Sequence, residues 1–322
     1  MKQPIASVPA FKGISINTGL GIKISTKIKM NKHKYLLLTT FLFTNILFAQ
    51  DRDLLNVSYS VSTLKYNDTV ANANLFDLKL KLPVLQKKEN TIVGIVGYKN
   101  LSLQNFPSDY TGNLHGITLQ GAWIYKLSDR KSLTFFAQAG LFSDLQDVSG
   151  KDFRYTAGLR YRVKHSEKLS TGWGMAYSRQ FFGNQIIPFI DVDYRPNDKW
   201  SITGQFPIKP KVLYHFNDKW SAGIEVSADA SSYRLSATES NNQYIQVNQW
   251  TGLAKLEYQF AKSWQLNIGA GRNFRQSYKL YEDAATTPWT VITIPLGKKP
   301  DPIYEIDNNG LNIQVGISFK PF

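Results

Sequence analysis

The sequence predicts an all-β protein: a closed antiparallel transmembrane β-barrel of about fourteen strands, with twelve as the alternative, preceded by a signal peptide. Three observations predict it. Beyond residue 50, apolar and polar side chains alternate in run after run, the period of a strand with one greasy and one wet face. Many runs reach ten or more residues, longer than the usual strand of about five or six and near the ~9–11 that cross a bilayer at a tilt. The connections alternate between short polar turns and longer loops, and aromatic residues flank the short ones.

Residues 1–29 carry five lysines, no acid and no clean periodicity. Met30 opens a second beginning. Asn31-Lys32-His33-Lys34 is a basic head, Tyr35 to Phe48 is mostly apolar, and Ala49 offers a small residue at a cut. This order is that of a secretory signal peptide, and the apolar run falls short of the ~20 residues of a spanning helix. The chain therefore divides into an upstream extension (1–29), a signal peptide (30–49) and a barrel (50–322). The whole chain has a net charge of +14; removing residues 1–49 takes away seven lysines and no acid, leaving +7. That basicity is half a targeting effect, and no nucleic-acid-binding motif accompanies it. There is no cysteine, which excludes a disulfide scaffold, a Cys metal site and a lipobox anchor.

The strands follow in order. Leu55, Val57, Tyr59 and Val61 alternate with Asn56, Ser58, Ser60 and Ser62 in a strand at 53–64. Phe76, Leu78, Leu80 and Leu82 oppose Asp77, Lys79 and Lys81 at 74–84, and a third run covers 91–102. Ile117, Leu119, Trp123 and Tyr125 share a face at 114–127, followed by 131–142. Phe153 to Val163 alternates without a fault at 151–163, and runs at 168–180 and 186–195 follow. The hairpin 199–206 and 210–216 is the weak one, with two short runs around Phe206-Pro207-Ile208-Lys209-Pro210; without it the count is twelve. Trp220 to Ala228 alternates at 219–233, Trp250 to Phe260 at 246–260, and Trp264 to Ala270 at 264–278. The last strand, 310–322, places Leu311, Ile313, Val315, Ile317 and Phe319 on one face and ends at Phe322, with Pro321 read as an inserted residue.

Short connections fall at 86–90, 128–130, 164–168, 196–199, 217–219 and 261–263. Longer ones fall at 65–73, 103–113, 143–150, 235–245 and 279–309. Up–down parity puts every short turn on the side where the chain ends. Asn-Asp-Lys-Trp-Ser occurs twice, at 197–201 and 217–221, and reads as one turn solution used twice.

The signal peptide, the uninterrupted hairpins, the Tyr-x-Phe/Val-turn-Trp junctions and the terminal Phe322 resemble the porin-like outer-membrane β-barrels of Gram-negative bacteria. The Phe-Ala-Gln end of the signal and the Asn-Asp-Lys-Trp turns resemble an uncharacterised family of such barrels common in Bacteroidota. The resemblance implies the outer membrane as location, its lipid as surroundings, and delivery by the barrel-assembly machinery through the C-terminal strand ending at Phe322. It specifies no activity.

No catalytic constellation emerges. Beyond the signal the histidines are His115, His165 and His215, with no His-x-x-x-His pair for a metal. His115 lacks a serine two residues away, the spacing of an outer-membrane phospholipase. Asn241-Asn242, Asp301 and Asp307 sit in polar loops that do not single out calcium. The expectation is no enzyme, no cofactor and no metal. The informative set is the charges on the inward phase: Lys79, Lys81, Lys126, Arg154, Arg160 and Arg162 on earlier strands, and Asp191, Asp193, Glu225 and Asp229 on later ones. Facing one another, they would line a water-filled pore for small polar solutes with a transverse field; paired across a narrow lumen, they would close it. The leading expectation is therefore a porin-like channel. A closed-lumen structural or adhesion barrel acting through its loops is the first alternative, and a transporter of hydrophobic compounds the second. A soluble β-sandwich is the rival at the level of the fold.

Overall fold

The computed structural model describes residues 53–321 apart from positions 67, 68, 111, 284 and 299. The expected extension, signal peptide and Phe322 lie outside the described residues. Alternation has produced what it predicts: a meander of strands, each bonded to the next. They are β1 (Leu55–Tyr66), β2 (Thr69–Gln86), β3 (Asn90–Gln104), β4 (Asn113–Ser128), β5 (Lys131–Ser143), β6 (Phe153–Lys164) and β7 (Leu169–Gln180). There follow β8 (Gly183–Asn197), β9 (Trp200–Phe206), β10 (Lys209–His215), β11 (Trp220–Arg234), β12 (Tyr244–Ala261) and β13 (Trp264–Tyr281). The insert holds β14 (Thr287–Val291), β15 (Ile294–Leu296) and β16 (Tyr304–Asn308), and β17 (Leu311–Phe319) ends the chain.

The wall closes through β17. It pairs antiparallel with β1 from Leu55↔Phe319 to Ser62↔Asn312, and with β13 from Trp264↔Phe319 to Arg272↔Leu311. β1 to β13 and β17 make a fourteen-stranded antiparallel barrel. β16 continues the β17 line along β13. Between them, a Cβ on Gly310 would fall on the Thr63 carbonyl oxygen, so only glycine lets the last strand close against the first there. The strand ends at Phe319, two residues before Pro321.

The short turns and both ends of the barrel chain lie at one rim, as parity requires. Aromatic contacts ring the outer face there: Trp123 with Phe135, Trp200 with Tyr214, Trp220 with Tyr258 and Trp264 with Phe319. In the repeated Asn-Asp-Lys-Trp turns, Asn197 Oδ1 accepts from the N–H groups of Lys199 and Trp200, and Asn217 Oδ1 from those of Lys219 and Trp220. The asparagine closes its own turn. Above the ring the outer face is apolar and exposed, with Leu119 65%, Ile224 62% and Met175 52% accessible. A band of this extent exceeds the few hundred Å² that a water-facing surface carries; lipid removes the cost. The soluble sandwich would have buried these faces against each other, and it does not form.

At the opposite rim, three connections are tighter than the sequence suggests. β1 and β2 pair up to Tyr66↔Thr69, so most of the expected loop 65–73 is strand: β1 keeps twelve residues, shifted by two, and β2 is longer. β7 and β8 meet at Gln180↔Gly183. β9 and β10 turn at Phe206–Lys209 after seven residues each. The weak hairpin is thus in the wall, bonded to β8 and β11, but short.

Candidate functional site: the lumen

On β1, β2 and β3 the inward face turns from polar to apolar on the way to the loop rim, although Pro83, Val93 and Ile95 bring apolar side chains to the cavity near the short turns. Asn56, Ser58, Ser60 and Ser62 give way to Leu64; Lys79 and Asp77 to Ala73 and Ala71; Lys99 to Leu101 and Leu103. The polar part encloses a cavity of about 1010 Å³ that carries twice as many basic as acidic side chains. Its wall includes Lys79, Lys81, Lys126, Arg160, Arg162, Asp191 and Glu225 of the expected set. The other three lie elsewhere. Asp193 pairs with Arg162 and Arg195 toward the rim. Asp229 pairs with Lys99 at 2.7 Å where the lumen narrows. Arg154 donates to the carbonyls of Lys151 and Phe153 and covers the Phe181 ring at the loop rim.

The separation of basic and acidic sectors suggested by the sequence does not survive folding, because the later strands bring their own cations. Arg160 meets Asp191 at 3.0 Å, Lys211 meets Glu257 at 3.1 Å, and Lys255 lies 3.8 Å from Glu225. These three pairs run along the wall and satisfy buried charge without closing the lumen, whereas Lys99 on β3 and Asp229 on β11 pair across the bore where it narrows. The arginines of β6 reach the aspartates of β8 over β7, and β7 allows it with glycine. Gly172 and Gly174 stand opposite Arg162 and Arg160, and a Cβ on Gly174 would enter the Phe189 ring. Lys126 and Lys209 line the cavity with no ion pair of their own among the described residues.

Sequence reasoning left Lys99, Lys209, Lys211, Lys255 and Glu257 outside the candidate set. Lys255 and Glu257 were readable from alternation, being on the polar side of 246–260. Lys209 and Lys211 were hidden by Pro210 and the shortness of β10.

Above the cavity, an amide layer runs along the inner wall over the neighbouring strands β12, β13 and β17. Asn273 Oδ1 accepts from Thr251 Oγ1, Gln249 and Asn312, while Asn273 Nδ2 donates to Gln276. Next comes an apolar cluster of Leu64, Leu101, Leu114, Tyr233, Ile245 and Tyr278. The end of β11 then crosses to β5, pairing Arg234 with Ser143. Arg234, 2% exposed, donates to Asp152 at 2.8 Å and lies 3.5 Å from Asp147. Asp144 and Asp147 accept from the backbone of Ser236 and Ala237. The loop end is closed by this clamp. The insert does not plug the cavity: β16 extends the β13 hairpin outward, and β14 lies parallel on the free edge of β8.

The histidines make ordinary polar contacts, His115 with Tyr98 and His215 with Ser201 and Ser221. Among the described residues no group of three or more His, Cys, Asp or Glu side chains is placed to hold a metal.

Comparison with solved structures finds outer-membrane barrels at low identity and low TM-score. The COG4313 outer membrane channel from Pseudomonas putida F1 is 14% identical with a TM-score of 0.41, over 86% of this chain and 100% of that one. A NanC porin is 10% identical with a TM-score of 0.37, over 83% and 99%. A KdgM porin is 10% identical with a TM-score of 0.33, over 82% and 98%. The KdgM porin's TM-score is 0.34 in the structure titled as a complex with disordered oligogalacturonate. No curated protein matches the sequence. A family model matches residues 54–292, nearly the whole wall, and by it the chain belongs to the family described as a domain of unknown function, DUF6268.

Proposed function

We propose that the protein is a porin-like channel of the outer membrane, passing small polar solutes passively and preferring anions. The observation that carries this is the charged, roughly 1010 Å³ cavity inside a closed cylinder with an apolar outside. Lys79, Lys81, Lys126, Arg160 and Arg162, joined by Lys209, are the wall residues that a permeating anion would meet. Export by the signal peptide at Met30–Ala49, assembly through the C-terminal strand and a Bacteroidota-type origin belong to the same proposal, resting on the sequence resemblance. The closed loop end favours the second reading, a closed-lumen barrel acting through its loops. In the channel reading the Arg234 clamp is a gate.

Single-channel recording of the refolded barrel in a planar bilayer decides between them. Expected are discrete openings whose reversal potential in a salt gradient shows anion preference. A folded, heat-modifiable barrel that stays silent, both as wild type and as Arg234→Ala, overturns the channel and leaves the work to the loops.

A further inference from the structure

The wall has a place where strand pairing stops. β8 pairs with β9 only from Ile190 to Asn197, and β10 pairs with β11 only up to Glu225. The next link is a single bond, Ala228 N–H to the Ile208 carbonyl. Higher still, Ser232 Oγ accepts from Phe181 N–H and donates to Gln180. Between Ala228 and Ser232, about 13 Å of strand, no strand among the described residues pairs with this edge of β11. On the other side, β14 covers β8 from Gly183 to Ile186, with Ile292 N–H on the Ile186 carbonyl. The one edge position left between Ile186 and Ile190 is Pro188. Proline has no N–H to leave unpaired, so this edge is made to stand without a neighbour.

The cause is length. Seven residues at ~3.3 Å give roughly 23 Å before tilt, less than a barrel's ~25 Å apolar band once the strand leans. The hairpin β14–β15 stands above β9–β10, and its own outer edge carries Ile294 and Leu296, 64% and 51% exposed. β11 does not meet that edge, because its end leaves the wall for β5. Open backbone at membrane depth is tolerated where it lines a wet cavity.

The lumen changes character on the approach to this gap. Phe136, Ala176, Ile187, Phe189 and Ile208 line the cavity here, while Arg160, Arg162 and Lys126 line the part nearer the short-turn rim. β11 offers Ala228 and Ala230 at the edge, which leave room. With the loop end closed, a solute that enters at the short-turn rim can go forward only sideways.

We propose that this gap is a lateral portal, and that the lumen delivers amphipathic monoanions through it into the adjoining leaflet: the head held by the basic wall, the apolar body passing Phe189 and Ile208. The proposal rests on the membrane-channel reading for entry from the short-turn rim, but not on conduction past the Arg234 clamp.

The test uses the full barrel in phosphatidylcholine vesicles and 8-anilinonaphthalene-1-sulfonate, an amphipathic monoanion that crosses bilayers slowly. Wild type should speed its appearance in the inner leaflet several-fold. Ala230→Trp, which fills the gap, should return the rate to that of protein-free vesicles while leaving heat-modifiable migration intact. Because the chain has no cysteine, nitroxides at Ile187→Cys and Ile208→Cys give a second readout. They should collide with both lipid-dissolved oxygen and an aqueous nickel chelate, whereas Ser58→Cys meets nickel alone and Ile190→Cys oxygen alone. Labels at 187 and 208 that behave like Ser58→Cys, or an Ala230→Trp barrel as fast as wild type, overturn the portal. Chloride conductance without dye transfer sinks the portal alone; absence of both sinks the channel reading with it.

Discussion

Arg234 is the residue on which the loop end depends. It is almost fully buried, and Asp152 beside it is wholly so. Removing one partner of such a pair strands the other, a loss of about 3–5 kcal/mol, and here the loss falls on the closed state. Arg234→Ala is therefore expected to raise the open probability in a bilayer and to increase proteolysis within residues 235–243, while the rest of the wall stays folded. Gly174 gives a prediction of the opposite kind. Its Cβ would overlap the Phe189 ring, so Gly174→Ala should lower the urea midpoint by an amount equivalent to about 1–3 kcal/mol, the cost of overpacking. Ala176→Gly, two residues along on the same strand, serves as the control for altered backbone entropy.

Among the elements, alternation marked all thirteen consecutive strands and β17, because each faces lipid outside and either water or a packed polar layer inside. What it could not mark was pairing beyond the local hairpin. Nothing in Thr287–Val291 says that it will lie parallel on β8, and nothing in Ser231–Arg234 says that the strand will leave the wall for β5. Those outcomes depend on β9 and β10 being short, a fact visible in the sequence only as an irregularity around Pro207. The candidate site was legible to the same extent. Lys79 and Arg160 follow from phase, but the partner of Arg160 is two strands away, and Arg154 lies on the right phase at the wrong height. The two Asn-Asp-Lys-Trp turns make the element scale testable. Asn197→Ala and Asn217→Ala each remove two side chain to backbone hydrogen bonds, and each should cost about 1–2 kcal/mol in urea unfolding. Similar losses from the two sites would show one turn used twice; a loss at only one would show that its surroundings, not the motif, hold the turn.

For the molecule as a whole, the question is which charges a solute feels. A guanidinium 3.0 Å from a carboxylate presents a dipole to the bore, whose field falls off faster than that of a lone cation. Arg160 is in that position beside Asp191, while Lys126 and Lys209 line the cavity without such a partner. Anion preference should therefore come from the lone lysines more than from the arginines of β6, although the arginines dominate the sequence pattern. Two double variants separate the cases. Arg160→Gln with Asp191→Asn removes the pair and leaves the net charge unchanged, so the reversal potential in a potassium chloride gradient should stay near wild type. Lys126→Gln with Lys209→Gln removes two positive charges and should move it toward the cation side, most at low salt, where screening over the ~10 Å Debye length of 0.1 M salt is relaxed. If the arginine–aspartate variant shifts selectivity as far as the lysine variant, the wall pairs are broken in the conducting state, and the lumen that conducts differs from the one that is closed at Arg234.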